Sequence, residues 1–104
     1  MKKVIFLGTS KEDLSAFPDE ARGRAGHELW LVQVGEEPND WKAMSTVGAG
    51  VAEIRVRVGG EWRILYVARF SAGIYVLHAF QKKTQKTDQN DIEIARRRYG
   101  EIPK

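Results

Sequence analysis

The stretch VAEIRVRVGGEWRILYVARF, residues 51–70, decides the fold of this chain. In its first eight residues, apolar side chains at the even positions alternate with charged side chains at most odd positions, which is typical of a half-buried strand. Gly59 and Gly60 then turn the chain. A second strand follows, and its alternate residues Trp62, Ile64 and Tyr66 lie on one face. We therefore expect a β-hairpin.

The residues before the hairpin predict one strand and two helices. Residues 2–7 form a short apolar run with β-branched and aromatic side chains, which is typical of a strand. Ser10 and Asp13 resemble a capping pair that starts a short helix, and a second helix begins at Pro18, where proline suits the first turn. Residues 41–50 follow neither period and are predicted to form a loop. The inward face of the second helix is predicted to consist of Ala21, Ala25, Leu29 and Val32.

The residues after the hairpin predict a buried strand, a basic segment and a last helix. Residues 74–81 are apolar almost throughout, which favours an inner strand covered on both faces. After the lysine-rich residues 82–86, Thr87 or Asp88 caps the last helix. The apolar side of that helix is predicted to consist of Ile92, Ala95, Tyr99 and Ile102.

The predicted fold class is α+β. Two N-terminal helices pack on a mostly antiparallel sheet of about four strands, and a helix closes the chain. The register of the hairpin follows from the same pattern. A three-residue loop, residues 58–60, sets apolar side chains opposite apolar ones, whereas a two-residue loop would mix the two faces. We therefore expect the longer loop, which pairs Arg55 with Arg63 and Arg57 with Glu61.

The expected register has an electrostatic consequence. Arg55 and Arg63 stand side by side on the sheet face away from the helices, and two adjacent guanidinium groups repel each other. An anion between them would remove that repulsion, and a phosphate is such an anion. The alternative is that both side chains extend into water and are screened.

Length and composition limit the class of protein. A chain of 104 residues is expected to form a single domain, residues 1–104, and 42% hydrophobic with 30% charged residues fits an ordinary globular protein. The absence of cysteine excludes disulfides, thiolate metal sites and a cysteine nucleophile. No apolar run approaches the roughly 18 residues of a membrane span, so we expect a cytoplasmic protein with no membrane partner.

The charge of the chain is concentrated in its second half. Residues 1–52 hold 6 Lys and Arg against 8 Asp and Glu, whereas residues 53–104 hold 11 against 6. Residues 55–86 contain seven basic residues and a single acidic residue, Glu61. Such a block attracts polyanions, nucleic acid first among them, although a solvated strand face followed by a cationic tail would have the same composition.

The side chains available suit RNA cleavage without a cofactor. Two histidines, no cysteine and no acidic cluster on the basic strands leave a catalytic metal without ligands, and no glycine-rich phosphate loop is present. RNA carries its own 2′-hydroxyl nucleophile, so the protein has only to move protons and stabilise the phosphorane. His78 suits proton transfer, although a lone histidine in an apolar strand is more often a core residue. Tyr66 is expected to be a core residue.

Four segments, in their order along the chain, resemble one family. They are DWKAM at residues 40–44, EIR at 53–55, WRILYVA at 62–68 and, as the most specific, YVLHAFQKKTQKT at 75–87. Together they resemble the HigB-like, phage-related branch of the RelE/ParE toxin superfamily. One departure is Asp88, which stands where the branch usually has proline.

The resemblance implies a RelE-like fold and a function. It implies the toxin of a type II toxin–antitoxin pair, a metal-independent endoribonuclease that cleaves messenger RNA on the ribosome and inhibits translation. A cognate antitoxin, with a helix-turn-helix DNA-binding domain, would silence it. Carried over residue by residue, the resemblance and the charge pattern give as expected catalytic residues Arg63, His78 and Lys82. The expected RNA- or phosphate-binding residues are Arg55, Arg57, Lys83 and Lys86.

Two other functions remain open from the sequence. One is a non-catalytic module of prophage origin that binds RNA or an antitoxin through its basic face. The other is gyrase inhibition, because relatives in the ParE branch poison DNA gyrase and a shared fold does not decide the target.

Overall fold

The computed structural model describes residues 1–103, which form one five-stranded sheet and three helices. The α+β class, with two N-terminal helices and one C-terminal helix, is confirmed, whereas the RelE-like fold stays a prediction. The elements in chain order are β1 (Val4–Phe6), α1 (Ser10–Ser15), α2 (Asp19–Gln33), β2 (Trp41–Ala43), β3 (Val51–Arg57), β4 (Glu61–Val67), β5 (Ile74–Gln81) and α3 (Gln89–Gly100).

The sheet has the spatial order β1-β5-β4-β3-β2, and the expectation of about four strands was wrong. The additional strand is β2, which lies inside the segment predicted to be a loop. It is three residues long, all of them exposed, and is too short for a period of two to be visible in the sequence. Pairing with β3, in which Trp41 lies opposite Ile54, holds it at the sheet edge. Only β1 and β5 run parallel, and the other three strand pairs are antiparallel.

The predicted hairpin register is confirmed. Arg55 lies opposite Arg63 and Arg57 opposite Glu61, across a three-residue loop. Gly59 and Gly60 have φ angles of 60° and 141°, in the left-handed region that favours glycine. The glycine pair therefore determines the loop length, and the loop length determines which charges meet.

Helices α1 and α2 cover one face of the sheet. The predicted inward residues of α2 are all buried there, as is Tyr66 of β4. They contact the even-numbered apolar side chains of β3, among which Ile54 and Val56 are at most 1% exposed. The first core therefore forms where the alternation in the sequence predicts it.

The helix starts differ in detail from the prediction. Thr9, rather than Ser10, is the residue that precedes α1, and its hydroxyl donates to Asp13 at 2.8 Å. Ser10 is fully buried, with its hydroxyl 3.2 Å from the carbonyl oxygen of Val76. Pro18 immediately precedes α2 instead of forming its first turn.

Helix α3 covers part of the opposite face, which corrects the expectation that the arginine face lies away from all helices. The predicted apolar side of α3 packs against Leu65 and Leu77 in a second core. Asp88 caps the helix, and its carboxylate accepts a hydrogen bond from the backbone N–H of Asn90 at 2.8 Å. On this face Glu53 of β3 and Arg63 of β4 are buried, whereas Arg57 and Glu61 at the hairpin end are exposed.

Candidate nucleic-acid interface

A groove of about 420 Å³ lies where the charged ends of the sheet meet the segment before α3. One wall is the loop after β2, and the other is the segment that contains Lys82 and Lys86. Lys42 of β2 also lines the groove, and Glu53 of β3 forms part of its floor. Several cations from different elements thus surround a single depression.

We call these cations and two neighbours the basic surface. Arg55 contacts Glu53 in the lining of the groove, and Arg57 and Lys82 both lie near Glu61, since the charges of both lower the pKa of its carboxyl. Arg57 is 56% exposed and Arg55 23% exposed at the side chain. The members of the basic surface are Lys42, Arg55, Arg57, Lys82 and Lys86.

Arg63, a predicted catalytic residue, is buried beneath this surface. Its side chain is 3% exposed, and Nη2 lies 2.8 Å from a carboxylate oxygen of Glu61. Nη1 donates to the carbonyl oxygen of Trp62 at 3.0 Å. The guanidinium group therefore contacts the rest of the protein and does not line the groove.

The anion that lies between the paired arginines is Glu53. One carboxylate oxygen is 3.4 Å from Nε of Arg55 and 3.7 Å from Nε of Arg63. The other accepts a hydrogen bond from the Thr87 hydroxyl at 3.3 Å. Glu53 is 1% exposed, so it is buried although it lies on the charged face of β3. The signal that could have identified it is its parity, which places it on the same face of β3 as Arg55.

Glu61 offsets the cations at the hairpin end. The hydrogen bond from Arg63 lowers the pKa of the Glu61 carboxyl, and the charges of Arg57 and Lys82 lower it further against the opposing effect of desolvation. Nε of Arg57 lies 3.4 Å from the carboxylate, so the pair that the predicted hairpin register places opposite each other is also an ion pair. Asp40 lies 3.7 Å from the same nitrogen.

His78 lies in β5 and outside the groove. A β-bulge opposite Leu65 and Tyr66 interrupts the alternation of β5, which is why its facing does not follow from the sequence. The imidazole is buried, and Nε2 lies 2.8 Å from a carboxylate oxygen of Asp91 in α3. Nδ1 has no hydrogen-bond partner within residues 1–103. The ring stacks on Phe80, with 4.9 Å between centroids.

The lysines of the basic segment point to different places. Lys82 is half-buried and lines the groove, and its backbone N–H donates to the carbonyl oxygen of Glu61 at 2.7 Å. Lys86 is exposed at the groove, whereas Lys83 lines a separate cavity of about 140 Å³ with two aspartates. The fold therefore brings together four predicted residues, Arg55, Arg57, Lys82 and Lys86. It adds Lys42, which sequence reasoning missed.

A larger cleft of about 1130 Å³ lies between the end of α2 and the edge of the sheet. None of the predicted site residues lines it. Tyr66 forms part of it, and burial, with a contribution from the charge of Glu37, raises the pKa of its hydroxyl to about 12. Tyr66 is 6% exposed, which confirms its assignment to the core.

Two further observations concern metals and membranes. Among residues 1–103, no three His, Asp or Glu side chains are close enough together to hold a metal ion. The helices of the described chain are all too short or too polar to span a membrane.

The comparison with known families places this chain. Residues 12–100 match the model of the family described as Phage derived protein Gp49-like (DUF891). The match covers most of the chain, so the protein belongs to the Gp49-like family, which is part of the RelE/HigB-like toxin family. The expected superfamily is confirmed, and the HigB branch stays a prediction. A search of curated proteins gave no match.

Proposed function

We propose that this protein is the toxin of a type II toxin–antitoxin pair and cleaves messenger RNA on the ribosome without a metal. Membership of the Gp49-like family supports the toxin class. The observation that carries the proposal is the basic surface, in which lysines from two parts of the chain line one groove and Arg55 of β3 contacts Glu53 in its lining. A cognate antitoxin, with a helix-turn-helix DNA-binding domain, is the proposed partner, and the cytoplasm is the proposed location because ribosomes work there.

The basic surface suits an RNA backbone. Exposed Arg57 and Lys86 provide long-range attraction for phosphates, with strength that falls as salt rises. Arg55 is less mobile, because Glu53 holds its Nε and leaves the two terminal nitrogens for a phosphate. Lys83 lies outside the groove and is assigned to a flanking phosphate.

Cleavage in this proposal uses the 2′-hydroxyl of the RNA as nucleophile. The 2′-oxygen attacks the adjacent phosphorus while a base accepts its proton, and the P–O5′ bond breaks as an acid protonates the leaving oxygen. A 2′,3′-cyclic phosphate and a 5′-hydroxyl result. Lys82 is the proposed acid and, with Arg55, stabilises the charge of the phosphorane. Arg63 acts from below by holding Glu61 and Glu53.

His78 is the proposed proton acceptor. Asp91 holds Nε2 and so leaves Nδ1 as the atom that receives the proton. The ring and its Nδ1 are buried outside the groove, so this role requires that RNA binding on the ribosome exposes Nδ1. The pH–rate profiles of His78→Ala and Lys82→Ala, compared with wild type, test this role. We expect the ascending limb to disappear in His78→Ala, and an unchanged profile would remove histidine from the mechanism.

The decisive experiment is primer extension on a defined message in a translating extract. Wild type, Lys82→Ala and Lys11→Ala are each assayed with and without ribosomes. Lys11 is an exposed lysine of α1, outside the basic surface, and serves as the matched control. We expect cuts with wild type and Lys11→Ala in the presence of ribosomes, and a loss of at least about 100-fold with Lys82→Ala.

Intact message with folded wild type would refute the endoribonuclease proposal. DNA damage with uncut messages would then indicate gyrase inhibition. Salt-dependent binding of RNA without cuts would indicate the non-catalytic module.

A further inference from the structure

We infer that Glu53 is a positioning residue, whose buried carboxylate holds the RNA-binding groups of the basic surface in their working geometry. This inference rests on the proposed function. Its basis is the set of contacts that one carboxylate makes to three parts of the chain. These are Arg55 in β3, Arg63 in β4 and Thr87 in the segment before α3.

The burial of Glu53 shows that these contacts are needed. The side chain is 2% exposed, and a carboxylate removed from water is strongly destabilised unless cations and hydrogen-bond donors compensate it. Two guanidinium groups and one hydroxyl provide that compensation. In return, the carboxylate cancels the repulsion between Arg55 and Arg63, which the hairpin register places directly opposite each other.

The two oxygens of Glu53 act on two different parts of the groove. One contacts Nε of Arg55, so that the fork of terminal nitrogens keeps one orientation. The other accepts from Thr87 and ties the end of the lysine segment to the sheet. That segment contains Lys82 and Lys86, so a single side chain couples Arg55 of β3 to the lysine segment that forms one wall of the groove.

Glu53 has a natural control in Glu61. Both are acids next to Arg63 on the same face, but Glu61 is 44% exposed and contacts no residue of the lysine segment through its side chain among the described ion pairs. Replacing either one with glutamine removes one negative charge from the region. An effect of charge alone would therefore appear in both variants, whereas an effect of positioning would appear only in Glu53→Gln.

The structural arm of the test does not depend on cleavage. In ¹H–¹⁵N spectra of the arginine side chains, we expect the Nε–Hε signals of Arg55 and Arg63 to shift in Glu53→Gln. In Glu61→Gln the signals of Arg57 and Arg63 should shift, whereas that of Arg55 should stay in place. Thr87→Val keeps the carboxylate and breaks only its second contact, so it should shift the backbone signals of residues 82–87 while leaving Arg55 in place. Unchanged Arg55 and segment signals in Glu53→Gln would overturn the inference.

The functional arm separates binding from chemistry. Under single-turnover conditions with ribosomes and saturating message, we expect Glu53→Gln to lower the cleavage rate at least about tenfold. Glu61→Gln should change it less than about threefold. Affinity for RNA should be unchanged or higher in both variants, because each loses one negative charge that would repel phosphates. Equal rate losses in the two variants would overturn the inference.

A double-mutant cycle tests whether Glu53 acts through Arg55. In an Arg55→Met background, Glu53→Gln should cost less than about threefold in rate, because the group that it positions is absent. A full tenfold loss in that background would overturn the inference. Thermal unfolding of each variant verifies that it is folded, and Thr87→Val, with an expected loss of about threefold, provides the test if Glu53→Gln unfolds. If wild type does not cut, the proposed function fails while the spectra still decide the role of Glu53.

Discussion

The two faces of strand β3 differ completely although they alternate along the same seven residues. On the face toward α1 and α2, the side chains are apolar and buried, with Ile54 fully inaccessible. On the other face the exposure of the charged side chains increases along the strand, from buried Glu53 through Arg55 to exposed Arg57. One strand therefore contributes to the core with one set of residues and to the candidate site with the other, so that changes to the site need not disturb the first core.

The charged face is itself divided. Toward Val51 and Val67 it is apolar and covered by α3, whereas toward the hairpin loop it is ionic. Charges at the boundary, Glu53 and Arg63, are nearly as buried as the core. Partial burial makes the cluster rigid, and rigidity is what an anion-binding site requires. Four predictions test this contrast between the apolar and the ionic face.

The largest effect is expected from the buried ion cluster. Arg63→Met removes one cation and leaves Glu53 buried with less compensation, so the free energy of unfolding should fall by about 3–5 kcal/mol. Arg57→Met, at an exposed pair, should cost less than about 1 kcal/mol. Urea unfolding monitored by circular dichroism measures both. Similar small losses would show that the ionic face is solvated in solution.

The apolar face should respond almost as strongly to a cavity. Ile54→Ala removes a fully buried side chain and should lower the free energy of unfolding by about 2–5 kcal/mol. Val58→Ala, on the same face but half-buried beyond the strand end, should cost about 1 kcal/mol. Equal losses in the same unfolding assay would show that Ile54 is no more deeply packed than the strand end.

The third prediction concerns alkaline pH. Burial raises the pKa of Tyr66 from the ordinary 10.0 to about 12 in the folded state. The unfolded chain therefore ionises at a lower pH than the folded protein. The free energy of unfolding is unaffected below pH 10 and falls, by at most about 2.7 kcal/mol, as pH rises through 12. Tyr66→Phe should lack this loss. Unfolding of both proteins between pH 8 and 11.5 tests it, and parallel curves would disprove the shift.

The smallest effect is expected at the start of α3. Asp88→Ala removes the side chain that accepts from the backbone of Asn90 and should cost about 1 kcal/mol. Asp88→Asn, which keeps the acceptor, should cost much less. Because α3 covers only part of the charged face, cleavage should survive both changes. A large loss of activity in a stable Asp88→Ala would link the cap directly to the site.

Sequence reasoning succeeded where a residue's position follows from local periodicity. The register of the hairpin followed from the alternation of β3 together with Gly59 and Gly60, because a slip by one residue would expose the core face. Strand β2 was missed because three residues show no period. The facing of His78 did not follow from the sequence, because a bulge, which depends on how β5 meets β4, interrupts the alternation.

The candidate site was only partly visible in the sequence. Charge composition predicted a basic surface and gave four of its members, Arg55, Arg57, Lys82 and Lys86, but it treated Arg63 as equally accessible. Burial separates these residues, and burial depends on α3 and on the segment before it. Lys42 joins the groove through a strand that the sequence does not indicate.

The sequence by itself determined the α+β class, the hairpin pairing and the basic character of the second half, because alternation, glycine position and charge are local properties of the chain. Only the tertiary structure decided that Glu53 lies between two arginines and beneath Thr87, 34 residues away along the chain. Local periodicity assigns a residue to one face of a strand. What covers that face depends on elements distant in sequence, and this covering distinguishes a solvated charge from a buried one.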